Sequence, residues 1–156
     1  MDVQFRRATR EDLNGVISLL VVSGLDITGV EENIKNFFVA VVGDKLVGVI
    51  GAEYFDGGVV YHRSIAIDPD FRGVDSRKIS ISFLALVAEA ATQRQCRELW
   101  GLVRPGLWEK NKSFLRSSGY EFHTQEEMPA VLHTNCEHIR SQKFPENVAI
   151  LKRLMR

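Results

Sequence analysis

The sequence has 156 residues, 45% of them hydrophobic and 26% charged, and its 20 Lys and Arg residues balance its 20 Asp and Glu residues. This length predicts a single domain over residues 1–156, and the composition is typical of soluble globular proteins. The balanced charge argues against a nucleic-acid partner, and the longest apolar runs are too short to cross a membrane. Because the N-terminus has no apolar signal core and the two cysteines are far apart, we expect a cytoplasmic protein without a disulfide framework.

The N-terminal part of the chain predicts one strand and two helices. Residues 3–8 alternate between apolar and polar side chains, which is typical of a strand. Thr9 and Asp12 have the spacing of a capping box, so a helix is expected to follow them and to end near Gly24. Thr28 and Glu31 have the same spacing, so a second, short helix is expected to begin at Thr28.

A three-strand meander is predicted next. Residues 38–42 and 46–55 have the composition of strands, and residues 43–45 (GDK) between them have the chemistry of a hairpin turn. A second turn at residues 56–58 (DGG) leads into a third strand. That strand is expected to end before Pro69, because proline cannot donate a hydrogen bond to a sheet.

The remainder of the chain alternates helices and strands. The predicted elements are, in order, a helix from about Arg77 to Thr92, a strand over residues 99–103, a helix over 107–117, a strand from Tyr120, a helix over 130–141 and a strand over 147–154. Asp75 and Ser76 are good N-caps for the first of these helices. Cys96, in an apolar context, is expected to be a small core residue.

The connection between the third meander strand and the long helix is the strongest candidate for a binding site. A loop with Gly73 and the basic residues Arg72, Arg77 and Lys78 leads into a helix N-terminus. Free backbone N–H groups and the positive end of the helix dipole meet there, which favours an anion such as a phosphate. The alternative is an ordinary strand–helix connection that binds nothing.

Other chemical signatures are weak in this sequence. It contains no G-x-x-x-x-G-K-[ST], no G-x-G-x-x-G and no C-x-x-C motif. His133, Cys136 and His138 lie on one predicted helix, but only His133 and Cys136 have a spacing that shares a face. A structural role is therefore favoured for these three residues, and no metal site is predicted.

Two segments, together with the order of the elements, carry a resemblance to a known family. Residues 65–73 (IAIDPDFRG), followed by a long helix, resemble the central motif of the GNAT superfamily of acyl-CoA-dependent N-acyltransferases. Residues 114–120 (FLRSSGY) resemble the F-Y-x-x-x-G-F/Y segment of that family, and the likeness covers essentially the whole chain. A closer resemblance, to the arsenic-resistance-associated N-acetyltransferase-like subgroup, is carried by residues 46–53, 63–67, 128–130 and 144–145.

The resemblance implies an α+β GNAT fold, in which a mixed central sheet of about seven strands is flanked by helices and splayed at its two central parallel strands. It implies acetyl-CoA as the co-substrate and no metal. The pantetheine arm is expected on the backbone of Ile65, Ala66 and Ile67. The pyrophosphate is expected on the loop formed by Arg72, Gly73, Val74, Asp75, Ser76, Arg77 and Lys78.

The sequence departs from the family pattern at two places. Asp75 and Arg77 stand where the pyrophosphate loop has glycines, and the charge of Asp75 repels an anion at short range, with Arg77 and Lys78 as partial compensation. Leu115 replaces the tyrosine that protonates the leaving thiolate, for which Tyr120 or Tyr61 could substitute.

The candidate catalytic bases are Glu53 first and His62 second. Glu53 ends an apolar strand, where burial would raise its pKa towards the range of a useful base, although an exposed strand-end charge is the alternative. His62 lies on the central strand and could instead face solvent or occupy a satisfied core position. Arg63 is the candidate ligand for a substrate carboxylate, unless it pairs with a nearby aspartate, Asp68 or Asp70.

The resemblance implies an N-acetyltransferase that transfers the acetyl group of acetyl-CoA to a small amine, such as an amino acid or an analogue of one. In such an enzyme the amine attacks the thioester directly, the strand backbone polarises the carbonyl and a carboxylate or histidine takes the proton. The alternative is a degenerate family member that binds a ligand or partner without turnover. A homodimer is left open.

Overall fold

The computed structural model describes residues 2–71, 74–141 and 146–154, without the side chains of Val74 and Asp75. The strands are β1 (Gln4–Arg7), β2 (Phe38–Val42), β3 (Lys45–Phe55), β4 (Val59–Ile67), β5 (Glu98–Val103), β6 (Tyr120–His123) and β7 (Val148–Arg153). The helices are α1 (Leu13–Val22), α2 (Val30–Asn33), α3 (Val74–Gln93), α4 (Pro105–Ser117), α5 (Ala130–Asn135) and α6 (Glu137–Ser141), with short 3₁₀ turns between some of these elements.

The strands form one seven-stranded sheet in the order β1-β2-β3-β4-β5-β7-β6. The pair β4–β5 is parallel, whereas β1–β2, β2–β3, β5–β7 and β6–β7 are antiparallel. The parallel register joins Val59, Val60 and Tyr61 to residues 98–100, and both strands continue beyond it. The predicted mixed sheet with flanking helices, an α+β fold, is therefore confirmed.

The chain divides into two compact units, and the first comprises Met1–Glu53 and Arg63–Glu89. Its core is an apolar cluster to which α1 contributes Val16, Leu19 and Leu20 from one face. The predicted capping box at Thr9 is present, because its backbone N–H donates to the Asp12 carboxylate at 2.7 Å. At Gly51 a Cβ atom would lie 2.4 Å from the Phe37 ring, so a glycine is required where this buried ring crosses β3.

The second unit comprises Tyr54–His62 and Ala90–Arg156. It has two apolar clusters, one around Tyr61, Trp100 and Leu132 and a smaller one formed by Leu115, Tyr120 and Ile150. Cys96 is buried, as expected, and this burial raises the pKa of its thiol. Strands β3 and β4 contribute residues to both units, and the expectation of a single domain stays a prediction.

Three sequence-based helix boundaries are wrong. Helix α3 begins at Val74 rather than near Arg77, so Asp75 and Ser76 lie in its first turn and are not N-caps. An acidic residue such as aspartate is also favourable in a first turn, because the positive end of the helix dipole attracts negative charge. The N-cap of α2 is Gly29, whereas the Thr28 hydroxyl donates to the Asp26 carboxylate at 2.7 Å.

The third correction concerns the helix predicted over residues 130–141. It is two short helices, because Cys136 adopts an extended backbone conformation (φ −89°, ψ 101°) between α5 and α6. Thr134 and Asn135, which precede the break, have low helix propensity. In the part of the chain that the structure describes, none of the helices is both long and apolar enough to traverse a bilayer.

Candidate functional site

Glu53 and Arg63 form a buried ion pair between β3 and β4. Arg63 Nη1 lies 2.9 Å from Glu53 Oε2, the Arg63 side chain is 0% exposed and the Glu53 side chain is 9% exposed. Glu53 is thus a buried carboxylate and not an exposed strand-end charge. Asp68 and Asp70, the alternative partners considered for Arg63, are 3.5 and 3.7 Å from Lys45 Nζ.

The guanidinium of Arg63 also binds the loop between α1 and α2. Nη2 donates to the carbonyl of Asp26 at 2.9 Å, and Nη1 donates to the carbonyl of Thr28. Gly29, at a φ of 80°, follows directly, and a Cβ atom there would lie 3.3 Å from Arg63 Nη1. Four acceptors within the chain therefore hold Arg63, counting Glu53 and the hydroxyl of Ser64.

The backbone of β4 is strained directly after Arg63. Ser64 has a φ of 61°, in the left-handed region that a non-glycine residue adopts at a cost of about 1–3 kcal/mol. Its hydroxyl accepts a hydrogen bond from Arg63 Nε at 2.8 Å, which supports this conformation. The strained residue precedes the segment expected to bind pantetheine, in which Ala66 is buried and Ile65 and Ile67 are half-buried. Such strain is common at functional sites.

His62 belongs to the second unit and is buried in its interior. The residue is 6% exposed, and burial lowers the pKa of its imidazole to about 4. Within the described residues, Nε2 has no hydrogen-bond partner. The ring rests on Gly101 of β5, where a Cβ atom would lie 2.3 Å from Cε1 and 2.4 Å from Nε2. Only a glycine at position 101 leaves room for this imidazole.

Tyr120 lies beside His62 in the same unit. The two rings meet edge to face, with their centroids 6.1 Å apart. Tyr120 is buried, which raises the pKa of its phenol, and its hydroxyl lacks a hydrogen-bond partner in the described part of the chain. Gly101 was missed by the sequence reasoning, although a glycine inside an apolar strand is a signal of close approach by another group.

The expected pyrophosphate loop is only partly visible. Arg72 and Gly73 lie outside the described residues, as do the side chains of Val74 and Asp75. In the first turns of α3, Ser76 is half-buried whereas Arg77 and Lys78 are exposed. Two cations beside a helix N-terminus fit a phosphate group, because the helix dipole and the side chains carry the same sign of charge.

His133, Cys136 and His138 lie in or between α5 and α6 and differ in their surroundings. His138 is buried, with Nδ1 2.9 Å from the Tyr61 hydroxyl, Cys136 is buried, and His133 is exposed. Across residues 2–71, 74–141 and 146–154, no cluster of three or more His, Cys, Asp or Glu side chains is arranged to hold a metal ion. The expected structural role accounts for the contacts of His138 and for the burial of Cys136.

Comparison with known proteins identifies the fold. No protein-family model matches the sequence, and no curated protein matches it. Among solved structures, the fold is that of GNAT-family acetyltransferases, with sequence identities below 20%.

Three of these solved structures illustrate the similarity. One is N-acetylglutamate synthase from Neisseria gonorrhoeae, complexed with coenzyme A and N-acetyl-glutamate, which matches at a TM-score of 0.77 and 17% sequence identity. The match covers 100% of the present chain but 36% of the synthase, so the present chain spans about a third of the length of that protein. A GNAT-family acetyltransferase from Staphylococcus aureus matches at a TM-score of 0.75 and 14% identity over 99% of this chain and 100% of that one. PaiA N-acetyltransferase from Thermoplasma acidophilum, in complex with coenzyme A, matches at a TM-score of 0.68 and 13% sequence identity, over 98% of this chain and 99% of that one.

Proposed function

We propose that this protein is an acyl-CoA-dependent N-acyltransferase that transfers the acetyl group of acetyl-CoA to the amine of a small molecule. The observation that carries the proposal is a β4–α3 connection with a strained strand and a basic helix start, within the fold of acetyltransferases. A neighbour complexed with coenzyme A and N-acetyl-glutamate supports an amino acid, or an analogue of one, as the acceptor.

The acyl donor is proposed to bind along β4 and the start of α3. The backbone of Ile65, Ala66 and Ile67 is the proposed partner of the pantetheine amides. The pyrophosphate is assigned to the loop from Arg72 to Lys78, in which Arg77 and Lys78 are exposed cations. Acetyl-CoA supplies an activated thioester, and the chain supplies position, charge and a route for the proton.

The reaction needs a group that accepts the proton of the attacking amine. As the N–C bond forms and the C–S bond breaks, the amine loses one proton and the thiolate of coenzyme A gains one. Glu53 is held as a buried acceptor, with Oε2 bonded to Arg63. His62 is uncharged at neutral pH because burial lowers its pKa to about 4, so one of its ring nitrogens carries no proton but is weakly basic. Both residues remain proposed bases.

The contacts of Arg63 favour a positioning role. Its hydrogen bonds to Glu53, to Ser64 and to the carbonyls of Asp26 and Thr28 fix a proposed base, the strained point of β4 and the α1–α2 loop together. Four of its five N–H groups already have acceptors and its side chain is 0% exposed, so no bidentate fork is left for a substrate carboxylate. We therefore expect Arg63→Lys to lower kcat more than it raises the KM of the acceptor amine.

Thermal unfolding with and without millimolar acetyl-CoA tests this function. A ligand at about 100 times its Kd adds about 2.7 kcal/mol to the stability of the folded state, so the midpoint should rise by several degrees. Thiol release with a panel of amino acids should then identify the acceptor. Arg77→Gln should weaken acetyl-CoA binding, whereas Arg10→Gln, which removes an exposed cation paired with Glu31 at 3.3 Å, should not.

The outcomes separate the two functions considered. A shift of the midpoint together with thiol release supports the transferase. Binding without turnover on any amine would indicate the degenerate binding module. If the protein neither binds acetyl-CoA nor releases thiol with any amine, the proposed function is refuted.

A further inference from the structure

A groove with a volume of about 530 Å³ lies within the second unit. It is formed by the end of β3, the turn before β4 and the turn after α3, and its lining residues are Tyr54, Phe55, Asp56, Gly58, Arg94 and Cys96. The groove is open to solvent, and its volume is in the range of sites that bind small molecules. None of these six residues has a part in the proposed acetyl transfer, so the groove needs an explanation of its own.

The groove has two aromatic walls and an uncharged floor. Tyr54 and Phe55 are half-buried, so both side chains keep some accessible area. Cys96 is 6% exposed, and this burial raises the pKa of its thiol, which is therefore neutral at pH 7. An apolar group can pack against the two rings, and the floor adds no charge to those at the rim.

Arg94 supplies a cation whose hydrogen-bonding edge is unoccupied. Its Cζ lies 3.8 Å from the centre of the Tyr54 ring, a distance at which a planar guanidinium stacks on an aromatic face. Such stacking leaves the N–H groups at the edge of the guanidinium for a planar acceptor such as a carboxylate. In the part of the chain that the structure describes, this guanidinium makes no hydrogen bond and no ion pair.

Asp56 supplies the opposite charge. Its carboxylate is exposed and, among the described residues, also makes no hydrogen bond and no ion pair. Asp56 and Arg94 thus line one groove without pairing with each other, which leaves both charges for a ligand. Asp56 repels a ligand that carries only a negative charge, and Arg94 repels one that carries only a positive charge. A zwitterion is attracted by both residues.

We propose that this groove binds a free amino acid with an apolar side chain. The α-carboxylate accepts hydrogen bonds from the edge of the Arg94 guanidinium, and the α-ammonium donates to the Asp56 carboxylate. The side chain of the ligand lies against Tyr54 and Phe55. The site goes beyond the proposed function, because its four contact residues are separate from those assigned to acetyl-CoA and to the proton transfer.

Three probes of similar shape separate the contributions of the two charges. L-leucine carries both charges, isocaproate lacks the ammonium group, and isoamylamine lacks the carboxylate. NMR titration of the nitrogen-15-labelled protein with each probe gives the Kd and the residues that respond. L-leucine should bind saturably, with shifts centred on residues 54–58 and 94–96. Each analogue should bind about twofold to fivefold more weakly, the range of one exposed ion pair.

Variants of the two charged residues test the same contacts from the protein side. Arg94→Gln should weaken the binding of L-leucine by about twofold to fivefold and should not weaken that of isoamylamine. Asp56→Asn should weaken the binding of L-leucine to a similar extent and tighten that of isocaproate, because a repulsion is removed. Arg7→Gln is the matched control, since Arg7 stacks on the Phe38 ring at 4.9 Å outside the groove, and it should leave all three affinities unchanged.

The possible failures are distinct from one another. If L-leucine causes no saturable shifts, or binds no more tightly than the two analogues, the proposal is overturned. Saturable shifts confined to residues 63–67 would place the amino acid on the proposed transferase site and would also overturn it. An equal loss in Arg7→Gln and Arg94→Gln would show that the effect is one of net charge and not of the groove. The titration contains no acetyl-CoA, so a failure of the proposed function does not change its outcome.

Discussion

Replacing Arg63 by methionine should destabilise the protein strongly. The guanidinium has no exposed area, and its loss would leave the Glu53 carboxylate buried beside an apolar side chain. The carbonyls of Asp26 and Thr28 would lose their donors as well. Breaking a buried ion pair costs about 3–5 kcal/mol, which for a chain of this size lowers the unfolding midpoint by roughly 6–20 °C.

A double-mutant cycle measures how much of this loss comes from the ion pair. The four proteins are the unsubstituted chain, Arg63→Met, Glu53→Gln and the double variant, compared by urea unfolding at neutral pH. Because the double variant leaves no unpaired charge, it should be more stable than the sum of the single effects predicts, by about 1–3 kcal/mol. Arg63→Lys keeps the charge but not the planar fork, and its loss should be intermediate.

An exposed pair on the same chain provides the control. Arg10 and Glu31 lie 3.3 Å apart, and their side chains are 63% and 61% exposed. Arg10→Met should change the unfolding free energy by less than about 1 kcal/mol, because solvent screens such pairs. If Arg63→Met is as mild as Arg10→Met, or if the Arg63 and Glu53 effects are additive, Arg63 does not anchor the site.

Three further predictions concern His62, Gly101 and Asp75. Burial lowers the pKa of His62 to about 4, from an unfolded value of about 6.5. The contribution of this residue to the free energy of unfolding should therefore be fully present above pH 6.5 and should be lost as the pH decreases towards 4. His62→Gln should flatten this part of the pH profile measured by urea unfolding, and an unchanged profile would contradict the burial effect. Gly101→Ala should displace the imidazole of His62 and lower the free energy of unfolding by about 1–3 kcal/mol. The pKa of His62, measured by NMR, should move back towards 6.5. A pKa that stays near 4 would show that the burial of the imidazole does not depend on Gly101. Asp75→Gly should tighten acetyl-CoA binding severalfold, because the repulsion between a carboxylate and a nearby phosphate is about 1 kcal/mol in water. Isothermal titration calorimetry measures this affinity. Weaker binding by the variant would show instead that Asp75 is needed in the first turn of α3.

The sequence predicted the sheet well because its signals are local. Pro69 ends β4, the GDK turn joins β2 and β3, and the capping box at Thr9 begins the first helical segment. Each of these features depends on residues a few positions apart. Thr28 shows the limit of this reasoning, since its hydroxyl bonds to Asp26 and the N-cap position falls to Gly29.

The contacts of the candidate site were less predictable because they depend on sheet register. Glu53 and Arg63 were both singled out from the sequence, but not as partners. They are 10 residues apart on neighbouring strands, and only the three-dimensional arrangement decides which acid meets the guanidinium. The contact of His62 with Gly101 joins β4 to β5 and has no short-range pattern at all. Such pairings require the folded sheet.

The central claim is that the chain transfers an acetyl group from acetyl-CoA to a small amine. The most direct measurement is mass spectrometry of a reaction that contains the protein, acetyl-CoA labelled with carbon-13 in the acetyl group, and a mixture of amino acids. The account predicts an N-acetylated product that carries the label and forms in equal amount to free coenzyme A. Coenzyme A release no faster than without protein, with no labelled amine from any amino acid or amine tested, would contradict it.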